Sequence, residues 1–261
     1  MSGLNFFDAN VVVGRVVRPT PPMRVTPEDV LADLARHDIH EALIAHAHAI
    51  DRSHEDNAGI LPIVAAHPGT RPVFTVPQHS SIDFPDPDAA IQSMLDAGVA
   101  AVRVTPSRYN GYTCDPWALG PIWRRFDDVR MPVLLVNTDL GRYPDQPALG
   151  FSAKNIYETA KTFPRVPLII VRLNFSALRV VVPLMRECAN VYAELSFFTA
   201  HRGYETLVRE VGPDRLLFGS GMPWGPPGPA VVATTYAAIS EDEKRLIAGD
   251  NLRRLIGAIG S

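Results

Sequence analysis

The sequence has few cysteines and no long apolar run. Only two cysteines, Cys114 and Cys188, occur among the 261 residues, far apart and in no spacing typical of a metal site. We therefore expect reduced thiols in a cytoplasmic protein. No apolar run approaches the ~20 residues needed to cross a bilayer, and the first residues, MSGLNFFDAN, lack the basic segment and apolar core of a signal peptide. We therefore expect no membrane-spanning segment and no signal peptide.

An excess of one charge is also missing. The 25 Lys and Arg residues nearly balance the 28 Asp and Glu residues, which leaves a formal net charge of -3, and no Lys/Arg block occurs. A nucleic-acid partner is therefore not expected.

Two common functional motifs are missing as well. The sequence has no glycine-rich phosphate fingerprint after its first strand, and FGSGM does not match the Gly-x-Ser-x-Gly frame of a serine nucleophile.

Short apolar runs alternate with helical patterns along the whole chain. The runs are apolar at nearly every position, which is typical of parallel strands buried on both faces. Eight such strands, each followed by a helix, predict a (β/α)8 barrel that forms a single domain over residues 1–261. An open doubly wound sheet is the alternative. The candidate strands are FFDANVVV, EALIA, PVFTV, AAVRVT, PVLLV, PLIIV, NVYAEL and RLLFG.

The helical segments have recognisable starts. TPEDVLADLARH begins with Thr26 as N-cap and Pro27 at the first helical position. SAKNIYETAKTF begins at Ser152, and Ser240 and Glu243 have the spacing of a capping box.

In a barrel of this kind the functional site lies at the carboxyl ends of the strands. Polar and aromatic side chains occupy those ends in this sequence. The candidate substrate-binding residues are Asn10, Arg103, Tyr109, Asn137, Arg172 and Trp224, and the candidate catalytic residues are His46, His48 and Glu194. Asp8, in FDAN, is expected to make a structural hydrogen bond.

Several segments resemble amidohydrolase family 2, a group of metal-dependent hydrolases with a (β/α)8 barrel. FDANVVVG is similar to the family's opening Asp-x-His-x-His-x-Gly, and NVYAELS to its seventh strand. GPDRLLFGSGMPW resembles the eighth strand with its following loop, and IAGDNLRRLI the final helix. The resemblance covers essentially the whole chain.

The positions where this family has metal ligands are changed here. Asn10 and Val12 stand in place of the first-strand histidines, Asn137 and Arg172 in place of the fifth- and sixth-strand histidines, and Gly221 in place of the eighth-strand aspartate. A catalytic zinc needs about three protein ligands. Valine and glycine offer no side-chain donor, and arginine stays protonated. We therefore predict no metal at the family site and no cofactor.

Two groups of residues leave alternatives open. His46 and His48 form a His-x-His pair that could bind an ion, act as hydrogen-bonding or acid/base groups, or have no role. Arg172 and Glu194 could form a buried salt bridge. Alternatively, Arg172 and Arg103 clamp an anion, and Glu194 is the acid/base group.

These residues predict a metal-independent hydrolase or lyase/decarboxylase that acts on a small carboxylate or carbonyl compound. The alternative is a non-catalytic protein that binds a ligand or serves as partner subunit of an intact amidohydrolase. A third hypothesis is a metal hydrolase whose ligands lie elsewhere in the sequence. The family resemblance implies self-association, as a homodimer or a complex with a related barrel.

Overall fold

The computed structural model describes residues 3–16, 23–50, 57–76, 84–105, 115–136 and 150–261. Eight strands form one sheet in which each strand pairs in parallel with the next along the chain. The strands are β1 (Phe6–Val13), β2 (Ile39–His46), β3 (Thr70–Thr75), β4 (Ala101–Val104), β5 (Val133–Leu135), β6 (Leu168–Ile170), β7 (Val191–Glu194) and β8 (Leu216–Leu217).

Backbone hydrogen bonds join the two ends of this sheet. The Ala9 N–H donates to the Phe218 carbonyl at 3.0 Å, and the Val12 N–H donates to the Met222 carbonyl at 2.9 Å. The segment that contains β8 therefore lies beside β1. This closure and the sequential strand order confirm the predicted (β/α)8 barrel, and the open doubly wound alternative is wrong because its strand order is not sequential.

Helices alternate with the strands. They are α1 (Pro27–Ala35), α2 (Ile60–Ala66), α3 (Pro87–Asp96), α4 (Gly120–Val129), α5 (Ala153–Thr162), α6 (Leu178–Glu187), α7 (Gly203–Val211), α8 (Gly228–Tyr236), α9 (Glu241–Arg245) and α10 (Asn251–Gly257). A π-helical turn, Leu246–Asp250, joins α9 to α10. None of the helices in the described part of the chain has the length and apolar character of a membrane span.

The predicted helix starts are confirmed by their caps. Thr26 and Ser152 each accept a hydrogen bond from the backbone N–H three residues later. Ser240 and Glu243 form the expected reciprocal capping box. Each cap satisfies a backbone donor that the first helical turn leaves without a partner.

Side chains alternate between two apolar layers. Inside the barrel, one buried cluster includes Val73, Ala101 and Leu134. Between the barrel and the helices, another includes Val102 and Val104. Because successive side chains on a strand point to opposite faces, Arg103 points into the barrel with Ala101, and Thr75 points there with Val73.

Candidate functional site

Glu194 ends β7 and connects three strand ends. The side chain is fully buried. Its Oε2 accepts hydrogen bonds from Asn10 Nδ2 at 3.1 Å, the Arg172 backbone N–H at 2.9 Å and Ser196 Oγ at 3.0 Å. Its Oε1 accepts a fourth from the Ser196 backbone N–H at 2.5 Å. One carboxylate therefore ties the carboxyl ends of β1, β6 and β7 together.

Gly219, just after β8, makes room for this carboxylate. A Cβ atom at Gly219 would lie 2.2 Å from Glu194 Oε1, so no other residue fits there without displacing the acid. Burial raises the pKa of Glu194 from 4.5 to about 7, against the lowering effect of its hydrogen bonds and with a smaller contribution from the charge of Asp8. Both protonation states of Glu194 are therefore populated near neutral pH.

Asp8 links β1 to the segment after β8. Its carboxylate accepts hydrogen bonds from the Asn10 N–H at 2.9 Å and the Ser220 N–H at 3.0 Å. Burial raises the pKa of Asp8 from 3.8 to about 6. The expected structural hydrogen bond of Asp8 is confirmed.

Arg172 follows β6 in a left-handed backbone conformation, with φ 60°. Its guanidinium carbon lies 4.8 Å from the centre of the Phe197 ring and 4.9 Å from the Trp224 ring. Both distances are typical of cation–π contacts. No ion pair between Arg172 and Glu194 occurs among the described residues, since the contact uses the arginine backbone. The salt-bridge alternative is therefore wrong.

Arg103 is a buried cation without a partner in the described part of the chain. Its side chain points into the barrel, and 3 % of the residue's surface is exposed. Its Nε is buried and donates no hydrogen bond. Burial and, to a smaller extent, the nearby charge of Arg172 lower the pKa of Arg103 to about 10, whereas Glu194 opposes the shift. The guanidinium thus stays charged at neutral pH, in surroundings where an unpaired charge is costly.

The family can be assigned once these strand ends are described. A family model described as Amidohydrolase (amidohydrolase family 2) matches residues 12–258, which is most of the chain. The chain belongs to the amidohydrolase family. No curated protein matches it in sequence.

Solved structures share the barrel of this chain over nearly its whole length. An uncharacterised TIM-barrel protein from Bordetella bronchiseptica is 16% identical, with a TM-score of 0.76 over 99% of this chain and 100% of its own. A dihydroxybenzoic acid decarboxylase from Polaromonas, with bound manganese and 2-nitroresorcinol, is 14% identical, with a TM-score of 0.72 over 97% of both chains. A putative 2-pyrone-4,6-dicarboxylic acid hydrolase from Pseudomonas putida is 16% identical, with a TM-score of 0.70 over 98% of both chains. At these identities the likeness shows the fold.

The family's metal does not fit the residues described at its position in this chain. Gly221 has φ 69°, and a Cβ atom there would lie 2.5 Å from Phe197 Cε2, so an aspartate would strain the backbone and displace the ring. Arg172 brings a positive charge to the same place. The described residues contain no group of three His, Cys, Asp or Glu side chains placed to hold an ion.

The structure brings some of the other predicted residues to this site. Asn10 donates to Glu194, and Trp224 lies against Arg172. His46, however, pairs with Val13 on the face of β2 that packs towards the helices, and its ring lies against Gly14. Its catalytic role stays a prediction. The side chain of His48 and the residues Tyr109 and Asn137 lie outside the described part of the chain.

Two contributors to the site were not predicted from the sequence. Gly219 directly follows a strand, and a glycine there is a known signal of close approach by another group. Phe197 is harder to find, because Phe198 beside it is also aromatic but packs into the core between barrel and helices. Which of the two rings faces the site and which faces the core depends on the path of the chain after β7.

Proposed function

We propose that this amidohydrolase binds a small carboxylate between Arg103 and Arg172 and hydrolyses or decarboxylates it without a metal at the family site. The observation that carries the proposal is the buried, unpartnered guanidinium of Arg103 at the carboxyl end of β4. A bound anion would supply the missing partner. Guanidinium groups bind carboxylates with two parallel hydrogen bonds, so arginine suits this role better than lysine.

The two arginines act on each other through space. The charge of Arg172 lowers the pKa of Arg103, which means that the two cations lie close enough to repel. An anion held between them would remove this repulsion as well as part of the desolvation cost. Contacts with Phe197 and Trp224 help to hold the guanidinium of Arg172 in place.

The names of the structural neighbours support the same class of substrate. The Polaromonas protein is a dihydroxybenzoic acid decarboxylase, and the Pseudomonas putida protein a putative 2-pyrone-4,6-dicarboxylic acid hydrolase. Both names describe small cyclic carboxylic acids. We therefore propose a small cyclic or aromatic carboxylate for this chain.

Charge favours hydrolysis over decarboxylation. Hydrolysis of an ester, lactone or amide elsewhere in the substrate leaves the bound carboxylate and its pairing with the two guanidinium groups intact. Loss of CO2 from a carboxylate bound by the arginines would instead leave both cations without an anion. In the hydrolytic step Glu194 takes a proton from water, the water oxygen attacks the carbonyl carbon, and the proton then passes to the leaving group. A carboxyl pKa of about 7 suits both transfers at neutral pH.

One observation favours a second function, ligand binding without catalysis. All four hydrogen bonds of Glu194 come from the protein itself, and the side chain is fully buried. A carboxylate held in this way positions strand ends whether or not it also moves protons. Self-association and partnership with an intact relative stay predictions.

Chelator-treated protein should be incubated with 2-pyrone-4,6-dicarboxylate and dihydroxybenzoates, with loss of the pyrone and release of CO2 as readouts. Binding should be measured in parallel by calorimetry. Turnover that persists in chelator and is lost in Arg103→Met supports the proposal. Binding without turnover supports the second function. The absence of both for every carboxylate, including benzoate, would refute the clamp.

A further inference from the structure

Thr75 lies beside Arg103 at the carboxyl end of the barrel. The two residues are register partners in the parallel pair β3–β4. Partners in a parallel pair point to the same side, and the residues two positions earlier, Val73 and Ala101, belong to the cluster inside the barrel. Thr75 and Arg103 therefore both point into the barrel, each with 3 % of its surface exposed.

The backbone of Thr75 is fixed, but its hydroxyl is not satisfied. Asn57 Nδ2 donates to the Thr75 carbonyl, and the Thr75 N–H donates to Asn57 Oδ1, both at 2.8 Å. The Oγ1 atom, in contrast, is buried and has no hydrogen-bond partner. A buried polar group without a partner destabilises a folded protein, so natural structures contain few of them.

We propose that Thr75 Oγ1 and the Arg103 guanidinium form one anion subsite, in which the substrate carboxylate accepts a hydrogen bond from each. The inference rests on the proposed carboxylate-binding function and adds a binding residue that determines specificity. Two unpartnered groups on neighbouring strands present one hydroxyl donor and one guanidinium donor on the same side. A carboxylate has two oxygens that accept from both, whereas a primary amide presents an NH2 group that can only donate.

Thr159 provides a matched control within the same protein. Its hydroxyl is also buried without a partner, but it lies on α5. If an unsatisfied hydroxyl were only a packing defect, Thr75→Val and Thr159→Val should have the same consequences. Both should leave stability unchanged or raise it, because valine has a similar shape and no polar atom.

The test is calorimetric titration of benzoate, with benzamide as the neutral probe, into the wild type and four variants: T75V, T75S, T159V and R103M. We expect T75V to weaken benzoate binding about tenfold, the usual effect of losing one hydrogen bond to a charged group. T75S keeps the hydroxyl and T159V is remote, so both should bind within about threefold of the wild type. The wild type should bind benzamide more weakly than benzoate.

The outcomes separate this inference from the function on which it rests. Wild-type affinity in T75V, together with lost affinity in R103M, would overturn the subsite and leave the clamp intact. Failure of the wild type to bind benzoate or any other carboxylate would overturn both. Equal loss in T159V and T75V would show a general packing effect and also overturn the subsite. Should T75V fold poorly by circular dichroism, T75A is the second hydroxyl-free variant.

Discussion

Replacement of Arg103 by methionine should make the protein more stable and less able to bind an anion. Burial and the charge of Arg172 lower the pKa of Arg103 well below its usual range, to about 10. One pKa unit corresponds to about 1.4 kcal/mol, so the charged side chain costs the folded protein about 3 kcal/mol at every pH below about 10. The cost disappears only as the pH rises above about 10 towards the higher pKa of arginine in the unfolded chain.

Methionine is flexible, unbranched and uncharged, so it can fill most of the space of the arginine. After some loss of packing, we expect the free energy of unfolding of R103M to rise by about 2 kcal/mol. Urea unfolding at pH 7, followed by far-UV circular dichroism, measures this change.

Arg215 gives the contrasting control. Its Nη1 donates to the carbonyls of Met185 at 2.5 Å and Cys188 at 3.0 Å, so R215M removes both hydrogen bonds. We expect R215M to lose about 1–3 kcal/mol. The reasoning is refuted if R103M is destabilised as much as R215M, because Arg103 would then be a structural residue. Unchanged benzoate affinity in R103M would refute the clamp itself.

Three further predictions concern the acids and glycines of the site. G221D places a side chain at φ 69° and against Phe197, so it should lower the free energy of unfolding by about 2–5 kcal/mol. Calorimetric titration of G221D with Zn²⁺ or Mn²⁺ should detect no new metal binding. G219A should lower the melting temperature, because its Cβ displaces Glu194; an unchanged melting curve would contradict the four-bond arrangement. The free energy of unfolding should fall as the pH rises from about 4.5 to about 7, because the folded protein holds a proton on Glu194 that the unfolded chain has released. Asp8 acts in the same direction between 3.8 and about 6. Urea unfolding at pH 5 and pH 7.5 measures the difference, and equal or higher stability at pH 7.5 would contradict the prediction.

The fold was predictable because its signals are local. Strand β1 begins and ends at the predicted residues, Phe6 and Val13, since the phenylalanines and valines at its two ends have strong strand preference. Strand β8 is shorter than RLLFG, because only Leu216 and Leu217 keep a regular ladder before the chain turns. Element type depends on short stretches of sequence, whereas element ends depend on neighbours in space.

The site was predictable only in part. The strand order places Arg172 and Glu194 at the same edge of the barrel, and their positions at strand ends predict both as site residues. The sequence does not reveal that Arg172 contacts Glu194 through its backbone, since that contact depends on a left-handed φ at a non-glycine residue. The alternation along β3 likewise predicts which way Thr75 points, but not that its hydroxyl lacks a partner.

The cross-link made by Glu194 has a consequence for how the protein matures. In a metalloprotein, ion uptake contributes to the free energy of folding, so stability varies with the supply of the ion. Here the ends of β1, β6 and β7 are joined by groups that the chain itself carries. This junction is made of hydrogen bonds within one polypeptide, so it is complete as soon as the chain has folded.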